Sequence, residues 1–360
     1  MKKIVFAVTN DISQDRRMIR ICDTLQRSGY QVTLVGRQLP QSKPLDNFSF
    51  NTHRIKCYFN QGPRFYAEFN IRLFFYLKKI NADIFGAVDY DTLKAVVKAA
   101  KSRNAKVIFD AHEWFEEVPE LEGRLKVKNY WMKIAREGIP RTQLRYTVSK
   151  SIGEKLEERY GKPFEVVRNF PLLKTEEPGS IREDILVYLG VLNRGRGLPE
   201  IIRAMHEINA KLILIGDGDI REELWSIATK ENLLHKIIFQ GYVPPNELDK
   251  LLLKARVGIN LLDKTSDSYK YSLANKFFDY IHAGMPQVFM DFPEYRRYYD
   301  QFRIGAPVYD LKQSSIVYAV NHLLQDRNYW FNLHLECLKA RQEWCWQREE
   351  KRLVEMIGRL

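Results

Sequence analysis

The segment Ser268–Asp291 reads SYKYSLANKFFDYIHAGMPQVFMD. A polar turn leads into a helix that carries Lys276 and Asp279 near its start. Gly284-Met285-Pro286 ends that helix, and an apolar strand follows. In an open α/β sheet, helix N-termini and strand C-termini share one edge, where phosphorylated ligands bind. Lys276 and Asp279 are three apart and therefore share a helix face. A cation for phosphate beside an acid for sugar hydroxyls suits a ligand that contains both. An ordinary amphipathic helix with a solvated Lys and Asp has the same local pattern, so the rest of the chain decides.

At 360 residues the chain exceeds what a single core usually supports, and two domains are expected. With 45% hydrophobic and 28% charged residues the composition is that of a soluble protein. No apolar run approaches the ~20 residues that span a bilayer. MKKIVFAVTN at the start runs directly into polar DISQDRR, so it reads as a buried strand rather than a signal peptide. Cys22, Cys57, Cys337 and Cys345 are scattered without a CxxC pair, which fits a reducing cytoplasm and no structural metal. Residues 1–170 hold 31 Lys and Arg against 19 Asp and Glu, whereas residues 171–360 hold 26 of each. The surplus of positive charge in the first half alone points to an anionic partner there.

Residues 3–9 form a buried strand and end in Asn10-Asp11. A helix with Met18, Ile19, Ile21, Cys22 and Leu25 on one face follows, closed by Gly29, and a strand covers Gln31–Val35. This βαβ opening has TNDISQD in place of GxGxxG, which argues against a dinucleotide cofactor domain. A strand within Ser49–Phe59, an aromatic helix over Phe65–Ile80, strand Asp83–Val88, helix Asp91–Ser102 and strand Lys106–Phe109 continue the alternation. The last of these strands ends in Asp110-Ala111-His112-Glu113-Trp114, which makes His112 the best-placed titratable group of this half. In Gly123–Arg145, the cations Arg124, Lys126, Lys128 and Lys133 alternate with apolar residues that include Trp131. That mixture suits an anionic membrane surface, or equally a solvated helix covering the core. No nucleic-acid motif accompanies these charges, so nucleic acid is not expected as a partner. Leu172–Ser180 (LLKTEEPGS) reads as an interdomain linker.

A second α/β series opens at Ile185–Leu189. Its strand runs into Gly190-Val191-Leu192-Asn193-Arg194-Gly195-Arg196-Gly197, where backbone N–H groups and a guanidinium can cradle phosphate oxygens. Strand–glycine turns recur at Gly216-Asp217-Gly218 and Gly241-Tyr242. A fourth strand, Arg256–Leu262, leads into the segment quoted above. Four such loops on one sheet edge carry more weight than any of them alone. The Trp-rich residues 327–356 close the chain as a packed helical element.

The segments DRRMIRICDTLQRSGYQVTLV, FDAHEWFEEVP, YTVSKSIGEKL, VVRNFP, YLGVLNRGRGLPEIIRAM, LILIGDGDIREEL, FQGYVPPNELDKLLLKARVGINLL and YSLANKFFDYIHAGMPQVF, in this order, resemble the two-domain GT-B glycosyltransferases of the retaining family 4 (group 1) type. The resemblance implies two Rossmann-like parallel-sheet domains facing across a cleft. The N-terminal acceptor domain covers residues 1–171, together with a returning helix at about 340–360, and the C-terminal nucleotide-sugar domain covers 172–339. It further implies a nucleotide diphosphate sugar as donor, with no metal or other cofactor. Arg196 falls where the family places a basic diphosphate contact, Lys276 in the Asn-Lys step seen before the acidic helix in one subgroup, Asp279 where the family binds ribose, and His112 where it reaches the reacting sugar. Gly190, Arg194, Gly216 and Tyr242 fall in the donor loops, and Asn10, Asp15, Arg17 and Glu113 on the acceptor side. Three features depart from the pattern: Tyr271 replaces the first Glu of Glu-x7-Glu, Val191 replaces an arginine, and the first loop offers Asn10 to Asp15 in place of Gly-Gly.

The function expected is therefore transfer of a sugar to a glycan or lipid-linked acceptor in cell-envelope polysaccharide synthesis. The site would be cytoplasmic, at the inner face of a membrane. A nucleotide-sugar 2-epimerase shares the fold but leaves the basic half unexplained. A non-catalytic sugar-nucleotide scaffold is the reading that Tyr271 and Val191 motivate.

Overall fold

The structure, a computed structural model, describes residues 1–45, 47–118, 121, 123–264 and 267–360. The chain divides into two compact units, Met1–Asn169 with Glu349–Leu360, and Phe170–Arg348.

The first unit is built on seven parallel strands: β1 (Lys3–Ala7), β2 (Gln31–Gln38), β3 (Asn51–Lys56), β4 (Ile84–Val88), β5 (Lys106–Ala111), β6 (Leu144–Thr147) and β7 (Glu165–Val166). Its helices are α1 (Arg16–Arg27), α2 (Gly62–Lys79), α3 (Asp89–Lys101), α4 (Leu125–Gly138) and α5 (Lys150–Tyr160). The strand order is β3-β2-β1-β4-β5-β6-β7, so the direction of winding reverses between β1 and β4. Strands such as β4 (IFGAV) are buried along their whole length, because helices cover both faces of a parallel sheet. α1 starts where Asp15 accepts the Met18 N–H, and it buries Met18, Ile21, Cys22 and Leu25 against the sheet. α5 starts on Ser149 and stops at Gly161, a left-handed residue with φ of 63°.

The second unit has six parallel strands: β8 (Glu183–Leu189), β9 (Lys211–Ile215), β10 (Ile237–Gly241), β11 (Ala255–Asn260), β12 (Gln287–Met290) and β13 (Gly305–Val308). Around them lie α6 (Leu198–Ala204), α7 (Arg221–Lys230), α8 (Pro245–Lys254), α9 (Asp267–Tyr271), α10 (Asn275–His282), α11 (Pro293–Tyr299), α12 (Gln313–Gln325) and α13 (Arg327–Glu343); the last helix, α14 (Trp346–Gly358), belongs from Glu349 onward to the first unit. The order β10-β9-β8-β11-β12-β13 places the reversal between β8 and β11. One side of this sheet is closed by a cluster of aromatic rings. Phe277 and Phe278 of α10 meet edge-on at 5.2 Å, and Trp344 packs on Tyr298 at 4.9 Å.

Two readings of the sequence change here. The Pro/Gly-containing segment Leu172–Ser180 belongs to the second unit rather than hanging between the two. Arg341 donates to the carbonyls of Lys174 (2.9 Å) and Glu176 (3.2 Å), and Gln347 accepts the Leu173 N–H at 2.9 Å. Composition signals a linker, but the cation that anchors it comes from more than 160 positions away. The returning element also starts later than residue 340: α13 stays in the second unit, and residues from Glu349 onward join the first. There Glu350 accepts from Thr24 (2.8 Å) and Glu349 from the Arg168 N–H (2.8 Å). All four cysteines are buried free thiols.

Candidate functional site

In the second unit the loops that leave β8, β9 and β11 flank the strand-order reversal, where open α/β sheets bind ligands. Two glycines let the first two loops approach closely. Gly190 has φ of 134° and Gly216 of 128°, and a Cβ on Gly216 would lie 2.1 Å from the Gly190 carbonyl oxygen. The loops are laced by Leu192 N–H donating to the Asp217 carbonyl at 2.9 Å.

Against this turn stands Lys276, the second residue of α10. The side chain is only 5% exposed, and its Nζ has no hydrogen-bond partner among the described residues. The amine sits 3.5 Å above the Tyr188 ring centroid, and Nζ lies 3.6 Å from the place a Gly190 Cβ would take. Burial, followed by the charge of Arg196, holds the amine well below the ordinary lysine range, against the pull of Asp279. The Arg196 Nε is also buried without a partner, and its guanidinium lies 5.6 Å from the Tyr269 ring. Tyr188, fully buried, donates to the Val191 carbonyl at 2.8 Å and so fixes the turn beneath the lysine. The buried Lys276 amine and the half-buried Arg196, whose Nε has no hydrogen-bond partner among the described residues, thus stand together beside the glycine turn.

The other residues expected here are placed less uniformly. Asp279 lies half-buried one turn along α10, close enough to influence Lys276. Tyr242 is 78% exposed at the end of β10. Arg194 faces solvent and is paired with Glu223 of α7 at 2.6 Å. Tyr188 and Tyr269 were not singled out in the sequence. The only cue to Tyr188 is its place two residues before Gly190.

In the first unit the loops after β1, β4 and β5 meet at the corresponding reversal. His112 follows β5, and its Nε2 is 3.2 Å from Asp110 Oδ2. Its backbone N–H donates to Asp89 Oδ1 at 2.8 Å, and its Nδ1 lies 3.8 Å from Asp89 Oδ2. Burial alone would lower the imidazole, but Asp110 and then Asp89 outweigh it and push it up to about 9. His112 is thus charged at neutral pH. Asp110 is held below its usual range: burial opposes this, but Arg17 and His112 prevail. Burial raises Asp89, against the charge of His112. Asp91 accepts from the Thr9 hydroxyl.

Of the residues expected on the acceptor side, Arg17 is corrected to a structural role. It is 5% exposed, pairs with the fully buried Asp110 at 3.0 Å and donates to the Val167 carbonyl at 2.9 Å. A cation that a helix directs into the sheet finds its partner 93 residues away, which no local pattern reveals. Asp15 is spent capping α1, and Asn10 donates to it at 3.0 Å. Glu113 remains exposed at the β5 edge. Asp89 and Asp91 were missed, although acids just past a buried apolar strand are the signal that singled out His112. Replacing Arg17 by Ala takes from the buried Asp110 carboxylate its guanidinium partner and leaves it His112 alone. Arg17→Ala should lower unfolding free energy by roughly 3–5 kcal/mol, read from denaturant midpoints at constant slope.

On α4 the expected anionic-surface residues divide. Arg124, Lys126 and Lys133 are exposed, whereas Lys128 is paired with Glu117 at 2.7 Å. Trp131 is corrected to a core residue: it is 5% exposed and packs edge-on against Tyr66 of α2 at 5.0 Å. Its neighbour Tyr130 (51% exposed) and Leu125 (71%) take the outward positions, because the helix turns one face of the mixed sequence inward. Among the described residues no helix is long and apolar enough to cross a membrane.

The fold is that of a two-domain, parallel-sheet protein. Sequence profiles agree: residues 14–170 match Glycosyltransferase Family 4, and residues 174–343 match Glycosyl transferases group 1. The chain belongs to this family of glycosyltransferases. Among curated proteins, an uncharacterized glycosyltransferase of Methanocaldococcus jannaschii, MJ1607, is 35% identical over 79 residues. That match covers 21% of this chain and spans about a fifth (20%) of that relative's length. Among solved structures, the sucrose-phosphate synthase of Thermosynechococcus elongatus superposes with a TM-score of 0.83 at 14% identity, covering 100% of this chain and 99% of that one. Anabaena HepE in complex with UDP and glucose gives 0.79 at 13% identity, covering 100% of both chains. Both show the GT-B fold, two parallel-sheet Rossmann-like domains.

Proposed function

We propose that the protein transfers a sugar from a nucleotide diphosphate sugar to a glycan or lipid-linked acceptor in cell-envelope polysaccharide synthesis, with retention at the anomeric carbon and without a metal. The observation that carries this reading is Lys276, a buried amine with no hydrogen-bond partner among the described residues, held on the Tyr188 ring beside Arg196. An unanswered buried amine is costly to the folded state, and a ligand's diphosphate would answer it. That HepE was solved with UDP and glucose supports a nucleotide-sugar donor for the same fold.

In this mechanism the bond between the anomeric carbon and the diphosphate breaks, and its electron pair goes to the leaving phosphate oxygen. Lys276, Arg196 and the amides after β8 and β9 stabilise the charge that develops there. The acceptor hydroxyl attacks the face from which the diphosphate departs, and its proton passes to the leaving phosphate oxygen. Asp279 binds the ribose, and the loop at Tyr242 the base. His112 meets the hydroxyls of the sugar. The test is binding of UDP, GDP, ADP, TDP and CMP, followed by transfer from the matching nucleotide sugar. Binding of one diphosphate together with acceptor-dependent release of it supports the reading. Conversion of the donor without acceptor would replace it with epimerisation.

The partner proposed for α4 is an anionic membrane at the cytoplasmic face. Arg124, Lys126 and Lys133 surround the exposed Leu125 and Tyr130, and Ile71 and Phe75 of α2 are 59% and 57% exposed. Liposome binding should rise with the fraction of anionic lipid and fall with salt, each cation adding about 1 kcal/mol. Equal binding to neutral vesicles would contradict it.

A further inference from the structure

The amine of Lys276 makes no hydrogen bond among the described residues, so its place over the Tyr188 ring is set by where the backbone of α10 begins. That beginning is weakly specified by its own sequence. Ala274 is the N-cap, with no side-chain oxygen to receive the first amides of the helix. The third helical residue is Phe277, where a capping box would carry Glu or Gln to answer the N-cap N–H. Tyr295 supplies that answer from another helix: its hydroxyl accepts the Ala274 N–H at 3.1 Å. Tyr295 lies in the first turn of α11 and is fully buried, with its ring 4.9 Å from that of Phe277 and 6.1 Å from that of Phe289. Farther along α10, Tyr280 accepts the Leu189 N–H at 2.9 Å and faces the Val187 and Ile259 carbonyls at 3.1 and 3.2 Å, which ties the second turn to β8 and β11. Two phenols therefore locate the helix, and the one that holds its start comes from α11.

We infer that Tyr295 is a positioning residue: its hydroxyl fixes the start of α10 and thereby holds the Lys276 amine on the Tyr188 ring, facing the Gly190 turn. Without the hydroxyl the half-buried Ala274 N–H is left unanswered, and the first turn shifts toward water to satisfy it, carrying Lys276 off the ring. This rests on the proposed diphosphate site for its consequence in binding, and it deepens that reading by naming what holds the lysine in place. Ala274 itself has φ of −67°, the angle that proline enforces. Ala274→Pro therefore removes the same N–H without strain and stiffens the turn, so that the helix start no longer depends on Tyr295.

The test reads the Lys276 Cε–H signal by NMR in protein carrying isotope-labelled lysine, assigned by its loss in Lys276→Ala. A methylene held against an aromatic face is displaced upfield by the ring current, with or without a ligand. Tyr295→Phe keeps the ring in the core and deletes the hydroxyl. The expected result is loss of at least about half of that displacement, with diphosphate binding weakened roughly fivefold, read with inorganic pyrophosphate, UDP, GDP, ADP and TDP. Ala274→Pro should keep both near wild type, and adding Tyr295→Phe to it should change neither, because the N–H that the hydroxyl serves is gone. Loss of stability alone leaves the signal of the folded protein where it was. A wild-type signal in Tyr295→Phe, or the same loss with and without Ala274→Pro, would overturn the positioning role. A signal that follows the variants in a protein that binds none of these diphosphates sinks the diphosphate assignment alone. Diphosphate binding with a signal that Tyr295→Phe leaves unmoved sinks the positioning role alone.

Discussion

Lys276→Ala should lower turnover by roughly 10²-fold or more while leaving the unfolding midpoint unchanged or raised. The native amine is buried and unpartnered, so its removal relieves a desolvation penalty in the free protein and withdraws a cation from the leaving diphosphate. A residue that served the fold would show the opposite pair of effects. The same geometry sets a pH dependence. Burial and Arg196 hold the free amine well below its ordinary range, and a bound diphosphate favours the ammonium. Donor binding then takes up a proton. Affinity is full at pH values below the free-state titration and declines as pH rises through it. In Lys276→Ala that decline should vanish. Wild-type turnover in the variant, or an unchanged pH dependence, would remove Lys276 from the site.

His112→Ala should also cost roughly 10²-fold in turnover. Here the charge is held in place rather than suppressed: Asp110 and Asp89 keep the imidazolium until about pH 9. A ligand hydroxyl would therefore meet a ring whose position is fixed by Asp110. The folded value lies above the ordinary 6.5, so the stabilisation from this charge is complete below about pH 6.5 and is lost as pH rises through about 9. His112→Gln should lose that component of the stability profile, and its pH–stability curve should flatten between those limits. An unaltered curve together with near-wild-type turnover would leave His112 as a surface group.

The alternation of strands and helices was legible because parallel sheets buried on both faces write themselves as short apolar runs that end in glycine or polar turns. The quoted segment was legible for the same reason, with α10 running over Asn275–His282 and Lys276 in its first turn. What local pattern cannot show is which long-range partner a charged residue meets. Arg17 and Asp110 pair across 93 positions, and Arg341 reaches the segment after Phe170 across more than 160. Trp131 and Tyr130 are adjacent in a mixed sequence, and only packing against Tyr66 decides which faces inward. Asp89 becomes significant only when β4 is known to lie between β1 and β5, which places it beside His112. Sheet order is a tertiary fact, and that residue was passed over because its strand looked like any other.

The central claim is that Lys276 and Arg196 hold the diphosphate of a nucleotide sugar. Calorimetric titration of the wild-type protein and of Lys276→Ala with UDP, GDP, ADP, TDP and CMP, with and without Mg²⁺, tests it most directly. The account predicts that one nucleoside diphosphate binds without metal, outcompetes CMP, and loses at least about tenfold in affinity in Lys276→Ala. Absence of binding by every diphosphate, or binding that Lys276→Ala leaves unchanged, would contradict it.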